Sequence, residues 1–253
     1  MNKIVFITGA SSGIGAACAK KFAQAGYDLI LNARSKEKLR PLLEELHQSY
    51  SVQVYPLIFD VRDRNTAQQA IDTLPERFKA IDVLVNNAGL ALGIDKEYEG
   101  TEENYDTMIE TNITALLMMT RLVVPGMIAR GKGHIINIGS VAGDAAYPGG
   151  SVYCATKAAV KVLSDGLRMD LVDTPLRVTN VKPGLVETNF SVTRFGGDKE
   201  RADKVYQGIK PLTGDDIADV VYYAASAPEH VQIAEVLVLA THQASGSLVY
   251  RKN

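Results

Sequence analysis

The sequence predicts a doubly wound α/β fold on one parallel sheet of seven strands, and three observations carry that prediction. Short runs rich in β-branched and aliphatic residues alternate with longer stretches of helical periodicity. The strand runs are apolar nearly throughout, as strands covered by helices on both faces must be. A glycine-rich turn, TGASSGIG at 8–15, follows the first strand and opens the first helix, the arrangement that starts a nucleotide-binding βαβ unit.

The strands read KIVFITG (3–9), DLILNA (28–33), VQVYPLIFD (52–60), IDVLVNNAG (81–89), GHIINIGS (133–140), LRVTNVKPG (176–184) and EVLVLA (235–240). Helices are predicted near 13–25, 35–49, 63–78, 102–130, 151–173 and 214–226. No linker, repeat or low-complexity stretch divides them, so residues 1–253 read as a single domain. One connection breaks the tight alternation: residues 185–213 intervene between the sixth strand and the next helix. A long insert at the carboxyl edge of a parallel sheet is where ligands bind, so 185–213 is expected to form a substrate-binding lid.

Composition narrows the function classes. Apolar residues make up 46% of the chain, charged residues 22%, and the net charge is −2 with both signs interspersed. Such a surface offers no basic stripe for nucleic acid and no polybasic helix for a membrane. The N-terminal MNKIVFITG enters a glycine turn too soon for a signal peptide. The most apolar later stretch, 113–129, is interrupted by Arg121, Pro125 and Gly126, so no membrane span is expected. Cys18 and Cys154 lack metal-ligand spacing and the four histidines are scattered, which suits a reducing, cytoplasmic setting without a bound metal.

In the glycine turn, Gly9 permits the sharp bend, Gly13 lets backbone approach a phosphate, and Gly15 allows close helix–strand packing. With Ser11, Ser12 and Ile14 they present a helix N-terminus to a pyrophosphate. The second strand ends LILNARSK, with no acid to bind a ribose 2′-hydroxyl and with Arg34 placed to pair a 2′-phosphate, which favours NADP over NAD. Asp60 and Val61, ending the third strand, and Asn87, Ala88 and Gly89, ending the fourth, are expected to wall the adenine and ribose.

Tyr153 and Lys157, in SVYCATKAAV, share one helix face. Eleven Tyr and fifteen Lys in 253 residues predict about 0.65 such pairs by chance, and a second pair, Tyr206–Lys210, exists. Position separates them. Tyr153 follows the fifth strand, whose end carries Ser140, across a Gly/Pro-rich loop that can fold the two hydroxyls together. Tyr206 has no strand ahead of it, and Pro211 disfavours helix at Lys210.

TGASSGIG, NNAG, Asn112, Ser140, YCATK and Pro183–Gly184 stand in an order and spacing that resembles the short-chain dehydrogenase/reductase family along essentially the whole chain. NNAGLALG, YPGGSVYCATKA, KPGLVETNFS and TRFGGD look like the branch of NADP-dependent 3-hydroxy acid dehydrogenases that oxidise serine and L-allo-threonine. The resemblance implies a Rossmann-type fold and hydride transfer between nicotinamide and a small 3-hydroxy acid. It assigns Tyr153 as general acid/base and Lys157 to the nicotinamide ribose. Ser140 would orient the substrate oxygen and Asn112 a relay water, while Pro183, Gly184, Val186 and Thr188 pass under the nicotinamide. It further implies a homotetramer formed through the helices at 102–130 and 151–173. Reduction of another substrate (3-oxoacyl or diketone), a dinucleotide sensor without turnover, and a scaffold role remain as alternatives.

The chemistry suits these residues. A tyrosine of ordinary pKa near 10 needs about 4 kcal/mol of preference for the anion to titrate near pH 7. An ammonium about 4 Å away supplies that order at an effective dielectric near 20, so Lys157 is expected to suffice. A hydroxy acid also needs a partner for its carboxylate, and Arg194 is the one arginine in the first half of the insert.

Overall fold

The computed structural model describes residues 2–252. Seven parallel strands form one sheet: β1 (Ile4–Ile7), β2 (Asp28–Ala33), β3 (Val54–Ile58), β4 (Val83–Asn86), β5 (His134–Ile138), β6 (Arg177–Pro183) and β7 (Glu235–Val238). Their order across the sheet is β3-β2-β1-β4-β5-β6-β7. The chain therefore reverses direction across the sheet between β1 and β4, and the carboxyl ends flanking that point form the crevice where such sheets bind ligands.

Helices cover both faces. On one, α1 (Gly13–Gln24), α2 (Lys36–Ser49) and α9 (Gly214–Ser226) bury Phe22, Leu46 and Val221 against Val5, Leu29 and Val181. On the other, α3 (Arg64–Asp72), α5 (Ala115–Arg130) and α6 (Ser151–Asp170) lie over Phe6, Leu84 and Ile135, and α4 (Glu102–Ile109) packs Met108 into a separate cluster with Tyr153. Each fully buried Leu, Ile or Phe contributes about 1.5–3 kcal/mol relative to exposure, which is why β1, β2, β4 and β5 are buried without alternation. The edges differ. β3 carries Pro56, tolerable because β3 pairs on one side only, and β7 alternates exposed and half-buried residues.

Three sequence expectations need adjustment. The helix expected over 63–78 stops at Asp72, because Pro75 lacks an N–H and constrains the residue before it; a single 3₁₀ turn, Glu76–Phe78, follows. The helix expected over 102–130 is continuous but changes pitch, with a π-helical turn at Glu110–Thr114 between α4 and α5. Its length and composition would suit a bilayer, yet Met119, Val123 and Met127 pack on Leu84 of β4 and Ile135 of β5. The 185–213 segment contains two short helices, α7 (Asn189–Arg194) and α8 (Lys199–Lys204), and ends sharply where Thr213 and Asp216 cap α9 reciprocally.

A polar ladder pins the strands beneath the crevice. Asn86, Asn137 and Asn180 lie abreast on β4, β5 and β6. Asn86 Nδ2 donates to Asn137 Oδ1 at 2.9 Å and Asn137 Nδ2 to Ser164 Oγ of α6 at 2.9 Å. Slipping one strand would bury these amides unpaired, so the ladder specifies register as well as adding hydrogen bonds.

Candidate active site

The turn after β1 is shaped by close approaches. Gly9 has φ +64°, and a Cβ there would lie 3.0 Å from Ala88 Cα; a Cβ at Gly15 would meet Asn87 Nδ2 and Gly9 O at 2.5 Å each. Asn87 Nδ2 donates to Thr8 O (2.9 Å) and Gly9 O (3.1 Å), and Thr8 Oγ1 accepts from the Asn87 and Ala88 amides. Asn87 therefore welds the end of β4 to the turn after β1, and its amide nitrogen is committed to that task.

Ser12 caps α1 without a side-chain hydrogen bond, and the first turn of α1 carries no acid. The amides there are left for another acceptor, and the dipole end faces the crevice, so a pyrophosphate fits. At the end of β2, Arg34 is exposed and forms no ion pair among the described residues. Asp60, expected to wall the adenine, is held in place by Arg62. Its two oxygens accept from Arg62 Nε (3.1 Å) and Nη2 (2.8 Å), and Arg62, with help from Arg34, holds its pKa below the ordinary value.

At the other end of the crevice the structure brings together Asn112, Ser140, Tyr153, Lys157 and Arg194. Ser140, two residues past β5, caps a short 3₁₀ turn, its Oγ accepting from Ala142 N at 3.1 Å. That turn lies against α6 so closely that a Cβ on Gly143 would be 2.6 Å from Lys157 O. Tyr153 is buried against Phe190 of α7, with ring centroids 5.6 Å apart. Asn112 sits in the π-helical turn. Its carboxamide accepts from Leu90 N (2.9 Å) and donates to Leu90 O (2.8 Å) and to Thr156 Oγ1 of α6 (3.0 Å). The widened turn re-aims one side chain out of the helix ladder, as π turns at functional sites do.

Lys157 Nζ donates to Ile138 O at 2.8 Å and lies 6.0 Å from the Tyr153 ring centroid. Burial lowers its pKa to about 8. Burial also pushes the Tyr153 phenol up, opposed by the Ser140 hydroxyl and the Arg194 charge. Desolvation thus disfavours both charged partners and opposes the support that Lys157 gives the phenolate. A second cation is already present. Arg194 Cζ lies 5.8 Å from the Tyr153 ring centroid and 5.4 Å from that of Tyr147. Its Nε donates to Gly93 O (3.0 Å) and its Nη1 to Tyr147 Oη (2.9 Å), and no carboxylate pairs with it among the described residues.

Two spaces flank these groups. A cleft of about 580 Å³ between α1 and the 185–213 segment reaches Gly13 and Thr188 but not Tyr153. The chamber bearing Tyr153, Arg194, Tyr105 and Gly93 holds about 20 Å³, room for a water molecule and little more. Of the two, the smaller is the one lined by Tyr153 and Arg194. Tyr147, Thr156 and Gly93 went unrecognised in the sequence. Tyr147 lies in the DAAYPGG loop, and no spacing rule connects it to Arg194, 47 residues away.

The short chain dehydrogenase family matches residues 3–198. An NADP-dependent 3-hydroxy acid dehydrogenase of Schizosaccharomyces pombe is 47% identical over 251 residues, covering 99% of this chain and 97% of that protein. Sulfoacetaldehyde reductase 2 of Chromohalobacter salexigens is 45% identical over 96% of both chains. The closed form of a serine dehydrogenase complexed with NADP+ superposes with a TM-score of 0.93 at 42% identity, covering 99% of this chain and 100% of that one. With the glycine turn, the Ser140–Tyr153–Lys157 constellation and these relationships in place, the chain belongs to the short-chain dehydrogenase family.

Proposed function

We propose that this enzyme moves a hydride between NADP and the carbinol carbon of a small 3-hydroxy acid of the serine, L-allo-threonine or 3-hydroxybutyrate type. The observation that carries the substrate class is Arg194, a half-buried guanidinium without a carboxylate partner, stacked beside the Tyr153 ring. An acid substrate would complete that ion pair and place its hydroxyl toward Tyr153. The unpaired Arg34 and the acid-free end of β2 support NADP, as does the cofactor dependence named for the relatives.

In this reading Gly9, Ser11, Ser12, Gly13, Ile14 and Gly15 hold the pyrophosphate, with Arg34 on the 2′-phosphate. Val186 N–H, which has no partner among the described residues, and Thr188 face the carboxamide of the nicotinamide. When bound, the cofactor supplies the hydride acceptor and a positive ring. Tyr153 Oη takes the proton of the substrate hydroxyl, and Ser140 Oγ orients that oxygen. The Lys157 and Arg194 charges stabilise the phenolate against the desolvation that opposes it. Asn112 acts through position, clamping Leu90 to Thr156. The 185–213 segment, which brings Phe190 and Arg194 against Tyr153, acts as a lid over the site.

Arg194 would hold a sulfonate equally well. In a 3-hydroxy acid and in sulfoacetaldehyde the anionic centre stands two bonds from the reacting carbon, so reduction of a sulfonated aldehyde is the second reading, supported by the 45% identical reductase. A homotetramer is supported by exposed Leu117 and Ile128 on α5, Val162 and Met169 on α6 and Val172 just after it, apolar surface that a second copy would cover. Reduced-nicotinamide absorbance, followed with NADP and NAD against serine, L-allo-threonine, 3-hydroxybutyrate, sulfoacetaldehyde (with NADPH) and a neutral alcohol, tests the proposal. Turnover of the neutral alcohol at the rate of the acids would overturn the substrate class, and absence of all turnover would return the protein to a dinucleotide-sensing role.

A further inference from the structure

The turn Pro183–Gly184–Leu185–Val186 lies at the carboxyl end of β6, where the proposed function places the nicotinamide. Its backbone is held from several directions. Gly184 N donates to Val238 O (2.7 Å), Leu185 O accepts from Leu212 N (2.9 Å), and Val186 O accepts from Tyr206 Oη (2.9 Å). The remaining tie comes from the far C-terminal segment. Gln243 Oε1 accepts from Leu185 N at 2.8 Å, across 58 residues of sequence.

Gln243 is built for that contact. It is 5% exposed, although a glutamine in a C-terminal segment would ordinarily face water. Its backbone is fixed by a turn to Ala240 O (2.8 Å) and by a small hairpin in which Gln243 pairs with Val249 and Tyr250 N donates to His242 O. Its Nε2 donates to Ser245 O (3.0 Å), so the amide is oriented with oxygen toward the turn. Gly184 is the complement. A Cβ there would stand 2.2 Å from Gln243 Oε1 and 2.9 Å from Gln243 Cδ, so the carboxamide occupies the volume a side chain at 184 would need.

We infer that Gln243 is a positioning residue: with Gly184 it fixes the Leu185 peptide and thereby aims the unpartnered Val186 N–H at the cofactor. The inference rests on the proposed NADP site but makes a claim about the ligand-free protein as well. Leu185 N–H is a protected amide only because Gln243 accepts it, and losing that acceptor frees the turn to rotate.

The test compares Gln243→Met, which keeps length and removes both polar groups, with Gln243→Glu, which keeps the acceptor. Leu46→Ala, a core substitution in α2, serves as a stability-matched control. Three quantities are read: hydrogen exchange at Leu185 and Val186 in the ligand-free protein, NADPH Kd by nucleotide fluorescence, and kcat. Gln243→Met is expected to speed Leu185 exchange and raise the NADPH Kd, each about 10-fold. Gln243→Glu should keep the Kd within about threefold of wild type at pH 8, where the carboxylate accepts. Leu46→Ala should leave the Kd unchanged. Wild-type exchange in Gln243→Met, or an equal rise in Kd in Leu46→Ala at matched Tm, overturns the inference. Should Gln243→Met fail to fold, Gly184→Ala reads the same contact and is expected to raise both quantities, and wild-type values there overturn the inference too. If wild-type protein binds no NADPH, the functional proposal fails, while exchange at Leu185 still decides the role of Gln243.

Discussion

Replacing Arg194 with methionine separates two jobs that the proposed function gives to one guanidinium. The first is recognition. A hydrogen bond to a charged partner contributes about 1.5–3 kcal/mol, so loss of the carboxylate contact should lower kcat/KM for serine about 10- to 150-fold, mainly through KM. The second is electrostatic support of the phenolate. At 5.8 Å from the Tyr153 ring centroid and an effective dielectric near 20, a unit charge contributes about 3 kcal/mol. Arg194 is half-buried, and halving that figure for solvent screening leaves about 1.5 kcal/mol, or about one pH unit. Alcohol oxidation needs the phenolate, so removing the cation raises the Tyr153 pKa and moves the acidic limb of the kcat/KM profile up by about one unit. A neutral alcohol should therefore show the limb shift but only a severalfold loss near neutral pH, whereas serine shows both effects. Arg194→Lys should keep the limb and lose most of the recognition, because one ammonium cannot reproduce the fork now bonded to Gly93 and Tyr147. Steady-state kinetics from pH 6 to 10 on both substrates provide the assay. Equal losses for serine and the neutral alcohol, with no limb shift, would refute both parts of the reasoning.

Other outcomes follow from the same geometry. Tyr153→Phe is expected to reduce turnover by at least about 10³-fold while NADPH titration shows Kd within about threefold, and Tyr206→Phe, which loses bonds to Val186 O and Ser191, should reduce turnover only severalfold. Arg34→Ala should lower the preference for NADP over NAD by about 10- to 100-fold, read as the ratio of kcat/KM values. His134 is buried beside Thr179, and burial lowers its pKa from 6.5 to about 3. The unfolded chain binds a proton that the folded one refuses, so this histidine costs stability progressively as pH falls from 6.5 toward 3. His134→Gln should flatten the pH dependence of the unfolding free energy by about 1.4 kcal/mol per pH unit between pH 6 and 4, measured by urea melts. An unchanged slope would mean that His134 is accessible to protons in the folded state.

The parts legible in the sequence are those that depend on local pattern. The strands announced themselves as unbroken aliphatic runs, because a parallel sheet buries both faces. The glycine turn was readable because Gly9 and Gly15 occupy positions where a Cβ would strike Ala88 or Asn87. Tyr153 could be told from Tyr206 by its place after β5. What stayed hidden was set by contacts between distant segments. Gln243 reaches Leu185 across 58 residues and Arg194 reaches Gly93 across 101, and no periodicity encodes either. The capture of Asp60 by Arg62, two residues on, depends on the local bend after β3 and was likewise not readable. The burial acting on Tyr153 stayed hidden for a related reason. A pairwise distance to Lys157 can be guessed from helix geometry, whereas the desolvation opposing it depends on everything packed around the phenol.

The π-helical turn at Glu110–Thr114 has a consequence for the spacing of the chain itself. A helix advances 100° per residue, so α4 and α5 are held out of phase by the extra residue accommodated in that turn. Upstream, Met108 of α4 faces the chamber cluster; downstream, Met119 and Met127 of α5 face the sheet. Deleting one residue from 110–114 would give a regular helix and swing one half about a quarter turn relative to the other. Asn112 would then leave Leu90, or Met119 would leave the sheet. The segment between the chamber and the core thus tolerates changes of residue type far better than changes of residue number, a constraint of arithmetic rather than of chemistry.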